Sequence, residues 1–235
     1  MAKIKENLNL ILIFLAGFIL YFRSLFNFFT NDDFFLLKIS QAHSLKEFIN
    51  FFNLAKGPEG LGMYRPLSTQ VYYFIGRTLS GLDPIAYRLL AFATFFLLIY
   101  LVYRLAKEIT GSEKIALVTS LLYATSASHF GHLYYSAVFQ ELALGVFSLT
   151  STLFFIYYLK KPTTLYSLLT TLFFLLALAS KETAVILPFI LVLIYLFYKV
   201  QKRTKLQIRK FLISLVPYFL ILFFYLYMRF TYYGF

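Results

Sequence analysis

The sequence predicts an all-α, polytopic membrane helix bundle of about seven transmembrane helices, with juxtamembrane helices in a long first outer loop. Three observations predict it. Of the 235 residues 60% are apolar and 14% charged, and the mean hydropathy of +0.75 is far above that of a water-soluble domain with one core. The apolar residues fall into seven runs of roughly membrane-spanning length. Thirteen of the 22 lysines and arginines gather at the N-terminus and in alternate gaps between those runs. That pattern makes the formal charge of +12 a topology signal, and it argues against a nucleic-acid partner, because no continuous basic stripe with interleaved aromatics exists. Cysteine is absent, which excludes disulfides, thiolate metal ligation and cysteine nucleophiles.

The first run, Leu8 to Phe22, follows Lys3 and Lys5 and resembles a signal peptide, but it continues into Arg23-Ser24-Leu25-Phe26-Asn27 without a small-residue cleavage site. It reads as an uncleaved signal anchor. Residues 29–84 form the first outer loop, far longer than a helix connection needs and so expected to carry structure and function. Within it, Ser44 is an N-cap for a short interfacial helix running to Phe52, Pro58-Glu59-Gly60 and Gly62 mark a turn region, and Pro66 opens a juxtamembrane helix over Leu67 to Leu79. A re-entrant or eighth span over that last stretch is the alternative. The remaining spans are Ile85 to Tyr103, Ile115 to Phe130, Leu142 to Leu159, Leu165 to Ala179, Ala184 to Tyr198 and Phe211 to Met228. By the positive-inside rule the N-terminus and the gaps bearing Arg104, Lys107 and Lys114, then Lys160 and Lys161, then Lys199 to Lys210 are cytoplasmic. Residues 30–84, 129–141 and 180–183 then face outward, and the whole chain, residues 1–235, reads as one transmembrane module in a prokaryotic cytoplasmic membrane.

The residues with chemical potential all fall on that outer side. Asn31-Asp32-Asp33 places an acidic pair at the end of the first span, where carboxylates set against apolar surface suit proton transfer or cation binding; a solvated turn or helix cap is the alternative. Arg65, ahead of Pro66, is a phosphate contact or an anchor to phospholipid headgroups. Lys181 is a lone basic residue in a tight outer turn, against the positive-inside trend; its alternative is a local ion pair with Glu182. His129, His132 and Glu141 flank the second outer loop, as substrate-positioning groups, interfacial hydrogen bonders, or ligands of a divalent cation to which Asp33 is a further candidate. Arg88, one turn into the second span, either snorkels outward or makes a second phosphate contact, and Arg23 has the same ambiguity; His43 reads as surface. Tyr64, Tyr134 and Tyr135 are outer aromatics, as a sugar platform or, more blandly, as part of the interfacial belt.

Asn31-Asp32-Asp33, Tyr64-Arg65-Pro66-Leu67, Gly81-Leu82-Asp83-Pro84, Gln140-Glu141 and Ser180-Lys181-Glu182-Thr183, in that order and on one membrane side, resemble the GT-C superfamily. These are polytopic glycosyltransferases that use polyprenyl-phosphate-linked sugars, among them the protein O-mannosyltransferases, the aminoarabinose transferases and the TMTC-type mannosyltransferases. The resemblance spans nearly the whole chain and implies a shared seven-helix module. It implies Asp32 as the base that activates the acceptor, transfer with inversion at the anomeric carbon, and Lys181 as a contact to the lipid phosphate. It also implies acceptor or donor positioning by histidine and acid in the second outer loop. Such relatives usually continue into further helices, whereas this sequence ends at Tyr232-Tyr233-Gly234-Phe235, so a protein partner or an additional segment is expected.

The chemistry is consistent with that expectation on its own terms. Sugar transfer from a lipid phosphate needs a base for the acceptor hydroxyl, which Asp32 or Asp33 supplies, and cations for the departing phosphate, which Arg65 and Lys181 supply. Glu182 and Tyr64 flank those cations. The alternative from another class is a non-catalytic polyprenyl-phosphate-binding module or subunit. A transporter is disfavoured, because Pro188 and Pro217 are the only notable interior helix breakers and neither has an ionisable neighbour in its span.

Overall fold

A computed structural model describes residues 2–55 and 62–233. The predicted turn at Pro58-Glu59-Gly60 lies outside them. Eleven α-helices occur among the described residues: α1 (Ala2–Tyr21), α2 (Asp32–Ile39), α3 (Leu45–Asn50), α4 (Tyr72–Ser80), α5 (Ile85–Thr110), α6 (Glu113–Ala124), α7 (His129–Tyr134), α8 (Phe139–Lys160), α9 (Thr164–Leu178), α10 (Leu187–Val200) and α11 (Ile208–Tyr233). No strand is present among the described residues, which agrees with an all-α bundle.

Among the described residues five helical stretches are long and apolar enough to cross a membrane: 7–26, 85–110, 136–160, 182–200 and 208–232. The third and fifth predicted spans correspond to shorter helices. At 12 and 15 residues, α6 and α9 measure roughly 18 and 22 Å at about 1.5 Å per residue. Connectivity nevertheless makes both cross. The ends of α5, α8 and α10 lie together, since Lys160 pairs with Glu108 and Arg203 donates to the carbonyls of Glu108 and Ile109. Gln140, Glu141 and Glu182 sit at the opposite ends of α8 and α10, so residues 111–139 and 161–181 must each return across the bundle.

The expected Ser44 cap is present: the hydroxyl accepts from the Glu47 amide at 3.2 Å, and the Glu47 carboxylate accepts from the His43 amide at 2.8 Å. The helix so capped, α3, buries none of its residues and leaves Leu45 and Ile49 exposed, as an interfacial helix should. Pro66 starts a helix as expected, a π turn over Leu67–Val71 running into α4, but this helix is packed between α2, α5 and α8 with Ser68, Thr69, Gln70 and Tyr73 buried. Pro188 proves to be in the first turn of α10, a position that costs no hydrogen bond, so Pro217 in α11 is the one interior breaker of the two.

Two apolar cores share α8. One joins it to α9, α10 and α11 through Phe155, Ile156, Phe174, Leu191 and Tyr218; the other joins it to α1, α5 and α6 through Leu142, Phe95, Leu98 and Ala124. The faces turned away from these cores are apolar and exposed, with Leu193, Leu220 and Phe223 as examples, which is the surface a lipid bilayer covers. A third cluster, of Phe29, Leu36, Leu37, Tyr72, Tyr73 and Tyr87, clamps α2 and α4 onto the start of α5. It fixes the acidic pair relative to the spans.

Candidate functional site

The acidic pair divides into two environments. Both residues start α2, where carboxylates complement the positive end of the helix dipole. Asp33 is fully buried: Oδ2 accepts from the Thr30 amide at 2.9 Å and Oδ1 accepts a short hydrogen bond from the Tyr73 hydroxyl. Burial and the adjacent carboxylate raise the Tyr73 pKa, so Tyr73 keeps its proton and acts as the donor. Asp32 is exposed, and its amide donates to Tyr135 Oη at 3.3 Å. Between the apolar span and the pair, Asn31 adopts φ 47°, ψ −115°, a left-handed conformation that glycine prefers. No side chain caps α2 at Asn31; Asp33 reaches back to the Thr30 amide ahead of the helix, while Asp32 stays exposed.

The cations meet a second set of groups. Arg65, 8% exposed, donates from Nε to Glu182 Oε2 at 2.7 Å, from Nη2 to Glu182 Oε1, and from Nη1 to Gln140 Oε1 at 2.5 Å. This is a bidentate pair with a third bond, to Gln140 at the start of α8. Lys181 pairs with Glu141, the residue next to Gln140, and not with its neighbour Glu182 as the local alternative had it. Arg229, near the end of α11, lies 4.0 Å from Glu182 Oε2 and has an Nη1 with no hydrogen-bond partner. Backbone bonds knit the same region: the Leu67 amide donates to Ala179 O at 3.1 Å and the Ser68 hydroxyl to Ser180 O at 2.5 Å. Arg65 and Lys181 therefore share one cluster, built from the first outer loop, the start of α8, the turn after α9 and the end of α11. Three cations and two carboxylates leave it a net charge of +1.

The stretch from α7 to the start of α8 links the two sets. Tyr135 touches Asp32 and Glu141 touches Lys181, and six residues of chain can separate them by at most about 20 Å. Phe139, between them, stacks on Tyr72 at 3.8 Å. His132 lies close enough to Glu141 and Lys181 to feel both charges, and burial holds its pKa below the usual histidine value. His129 is buried, with Nε2 2.8 Å from Tyr123 O and Nδ1 3.4 Å from His132 Nδ1. A carbonyl only accepts, so the His129 proton sits on Nε2 and His132 donates from Nδ1. Burial lowers the His129 pKa to about 4, which keeps the imidazole neutral.

Among the described residues no three His, Asp or Glu side chains come together as a ligand set; Asp33, His132 and Glu141 are engaged with Tyr73, His129 and Lys181 respectively. Arg88 reaches neither solvent nor the cation cluster. It is 1% exposed and donates to Leu133 O at 3.1 Å and Phe28 O at 3.3 Å, fixing the ends of two outer segments. Tyr64 donates to Phe52 O at 3.2 Å and lines an apolar groove of about 290 Å³ with Leu67, Leu178, Ala179, Ile221 and Tyr225. Tyr64, Leu67, Ala179 and Tyr225 lie within four positions of Arg65, Lys181 and Arg229 in sequence, although no charged residue lines the groove itself.

Three contributors escape the sequence reading of the site: Gln140, Arg229 and Tyr73. Arg229 had a usable signal, because Phe211, Leu215, Tyr218, Leu222 and Tyr225 form the inward stripe of α11 at alternating spacings of four and three, and the next step of that stripe is residue 229. Tyr73 had none, since nothing in its local sequence distinguishes it from the neighbouring aromatics.

An all-α bundle that gathers its buried charges at one end of apolar spans is an integral membrane protein with a polar site at the membrane surface. The family of dolichyl-phosphate-mannose-protein mannosyltransferases matches residues 68–227, and the chain belongs to that family, hence to the membrane glycosyltransferases of the GT-C type. The matched stretch holds Gln140, Glu141, Lys181 and Glu182, whereas Asp32, Asp33 and Arg65 precede it. No curated protein matches the chain.

Proposed function

We propose that this glycosyltransferase moves a sugar from a polyprenyl-phosphate donor to an acceptor hydroxyl on the extracytoplasmic side, with inversion and with Asp32 as the base. The observation that carries the reading is the Arg65–Glu182 and Lys181–Glu141 cluster together with an apolar groove whose lining residues Tyr64, Leu67 and Ala179 are one or two positions from those cations in sequence. A prenyl chain fits the groove, and a phosphate at its end meets a site of net charge +1. Before the donor arrives, Glu182 and Glu141 keep Arg65 and Lys181 from being desolvated cations without counterions. The phosphate then bonds Arg229 Nη1, which meets Glu182 only at 4.0 Å and without a hydrogen bond, and the spare ammonium protons of Lys181.

In the transfer step the acceptor oxygen attacks the anomeric carbon from the face opposite the phosphate. Its proton passes to Asp32, the bond from the anomeric carbon to the phosphate oxygen breaks, and the electron pair leaves on the lipid phosphate. Arg65 and Lys181 stabilise that charge. Asp33, locked by Tyr73 and the Thr30 amide, positions the loop and leaves proton transfer to its exposed neighbour.

Asp32→Asn preserves size and removes the proton acceptor. Transfer from a polyprenyl-phosphate-linked sugar by this variant is expected to fall by about 10² to 10⁴, with donor binding retained. Wild-type turnover by the Asn variant would remove Asp32 from the chemistry.

A further inference from the structure

The opposite end of the bundle carries a second charged cavity. Its volume is about 520 Å³, and it lies where α8 ends, α10 ends and α11 begins. Leu159, Pro162 and Leu206 give it an apolar wall; Lys202, Lys205 and Lys210 line the rest together with Lys160 and Arg203. The last two are already committed. Lys160 pairs with Glu108, and Arg203 donates to the carbonyls of Ile109 and Glu108 while lying 5.1 Å from the centre of the Tyr198 ring. Lys202, Lys205 and Lys210 have no carboxylate partner among the described residues. Three exposed lysines without a carboxylate partner line one concavity.

The backbone supplies an independent observation. Helix α10 closes with the Lys202 amide bonded to Lys199 O at 3.1 Å and the Arg203 amide to Tyr198 O at 2.9 Å. This is the Schellman arrangement, in which the residue at position 202 must be left-handed and is usually glycine. Lys202 takes φ +55° there. A side chain at such a position is strained, and this one projects a charge into a cavity that already holds two like charges. The two backbone bonds offset the strain of the turn, but no carboxylate among the described residues offsets the charge, which leaves that role open to an external anion.

We propose that this cavity binds the headgroup of an anionic phospholipid bearing two phosphodiester groups. The cavity lies at the ends of three apolar spans, at the depth of headgroups. Exposed Leu212 and Ile213 on α11, one turn away, give the acyl chains a surface to follow. Basic pockets between membrane helices take such lipids through charge, and three lysines exceed what one phosphodiester neutralises. The site is separate from the Arg65 cluster by the length of α8, and its test does not depend on glycosyl transfer.

Thermal unfolding of the purified full-length chain in zwitterionic detergent tests it, with cardiolipin, phosphatidylglycerol, phosphatidylcholine and inorganic pyrophosphate as probes. The wild type is expected to gain most from cardiolipin, less from phosphatidylglycerol, and nothing from phosphatidylcholine or pyrophosphate. Lys202→Gly relaxes the turn, so it should melt no lower than the wild type in phosphatidylcholine while binding cardiolipin roughly 5-fold more weakly; adding Lys210→Gln should bring the loss to about 30-fold. Lys114→Gln, outside the cavity, should respond as the wild type does. An undiminished cardiolipin shift in Lys202→Gly and in the double variant overturns the proposal. A wild type that cardiolipin does not stabilise does so too, and an equal shift from pyrophosphate replaces the lipid by a soluble phosphoanion.

Discussion

Arg65 and Lys181 belong to one cluster but hold their charges differently, and this sets what their removal does. Arg65 makes three charge-assisted or polar bonds to Glu182 and Gln140, so Arg65→Ala leaves Glu182 facing only Arg229 at 4.0 Å. Lys181→Ala frees Glu141 alone. Each substitution should weaken polyprenyl-phosphate binding by about 1.5 to 3 kcal/mol, the range for a hydrogen bond to a charged group, whereas Lys46→Ala on exposed α3 should leave it unchanged. Binding to tritiated polyprenyl phosphate in detergent measures both; equal affinities for all three variants would place the phosphate elsewhere. Histidine protonation gives a second residue-scale prediction. With the folded pKa of His129 at about 4 and that of His132 also lowered by burial, the unfolded chain binds protons between about pH 6.5 and 4 that the folded chain refuses. Stability is therefore flat above that window and falls as pH drops through it. His129→Gln, which can still donate to Tyr123 O, should show a shallower fall in melting temperature from pH 7 to pH 5; an unchanged slope would mean that His129 titrates normally. Lys181 was legible in the sequence because a lone cation in an outer turn defies the charge bias of the loops. The same logic extends to Arg229. The partner of Lys181 was not legible, because the choice between Glu182 and Glu141 depends on how the turn after α9 meets the start of α8.

Among the elements, α4 decides where the acidic pair sits, and its closeness to α5 rests on one glycine. A Cβ added at Gly76 would lie 2.4 Å from the ring of Tyr87, which is fully buried and bonded to Gly81 O. Gly76→Ala should therefore cost about 1 to 3 kcal/mol, as overpacking does. It should also lower transfer by disturbing Tyr73, which sits three residues earlier on α4 and holds Asp33. Denaturant unfolding in mixed micelles measures the first effect, and a variant as stable as the wild type would show that α4 can slide. Element boundaries were legible where a cap or a proline wrote them: Ser44 and Pro66 start helices at the expected places. The predicted third span overshot. Extended to Phe130 on hydropathy, it ends at Ala124, because Thr125, Ser126 and Ser128 turn the chain with local bonds such as the Ser126 amide to Tyr123 O at 3.2 Å. A hydropathy window averages small hydroxyl residues with alanine and misses the turn they make.

At the scale of the molecule, the two ends of the bundle are chemically distinct, and the distinction follows from charge and connectivity together. One end holds Asp32, Arg65, Glu141, Lys181 and Glu182; the other holds the interlocked ends of α5, α8 and α10 through Lys160–Glu108 and Arg203. Seven crossings, two of them by short helices, put the N-terminus and the lysine-rich ends on one side and the Tyr233 end of α11 on the other. The basic residues divide thirteen to nine between the two sides, a bias from which the positive-inside rule predicts that the first side faces the cytoplasm. The seven apolar runs anticipate the five long helices and the places of α6 and α9, but not that these two are only roughly 18 and 22 Å long, because a hydropathy profile does not mark where a helix ends. Because the sequence has no cysteine, single thiols can report on sidedness without any background substitution. Asn53→Cys in the first outer loop and Lys205→Cys between α10 and α11 both place the thiol at an exposed position. A membrane-impermeant maleimide applied to intact cells should label the first and spare the second until the membrane is opened. Labelling of Lys205→Cys in sealed cells would invert the bundle and put the Asp32 and Arg65 groups on the cytoplasmic side, where an extracytoplasmic acceptor could not reach them.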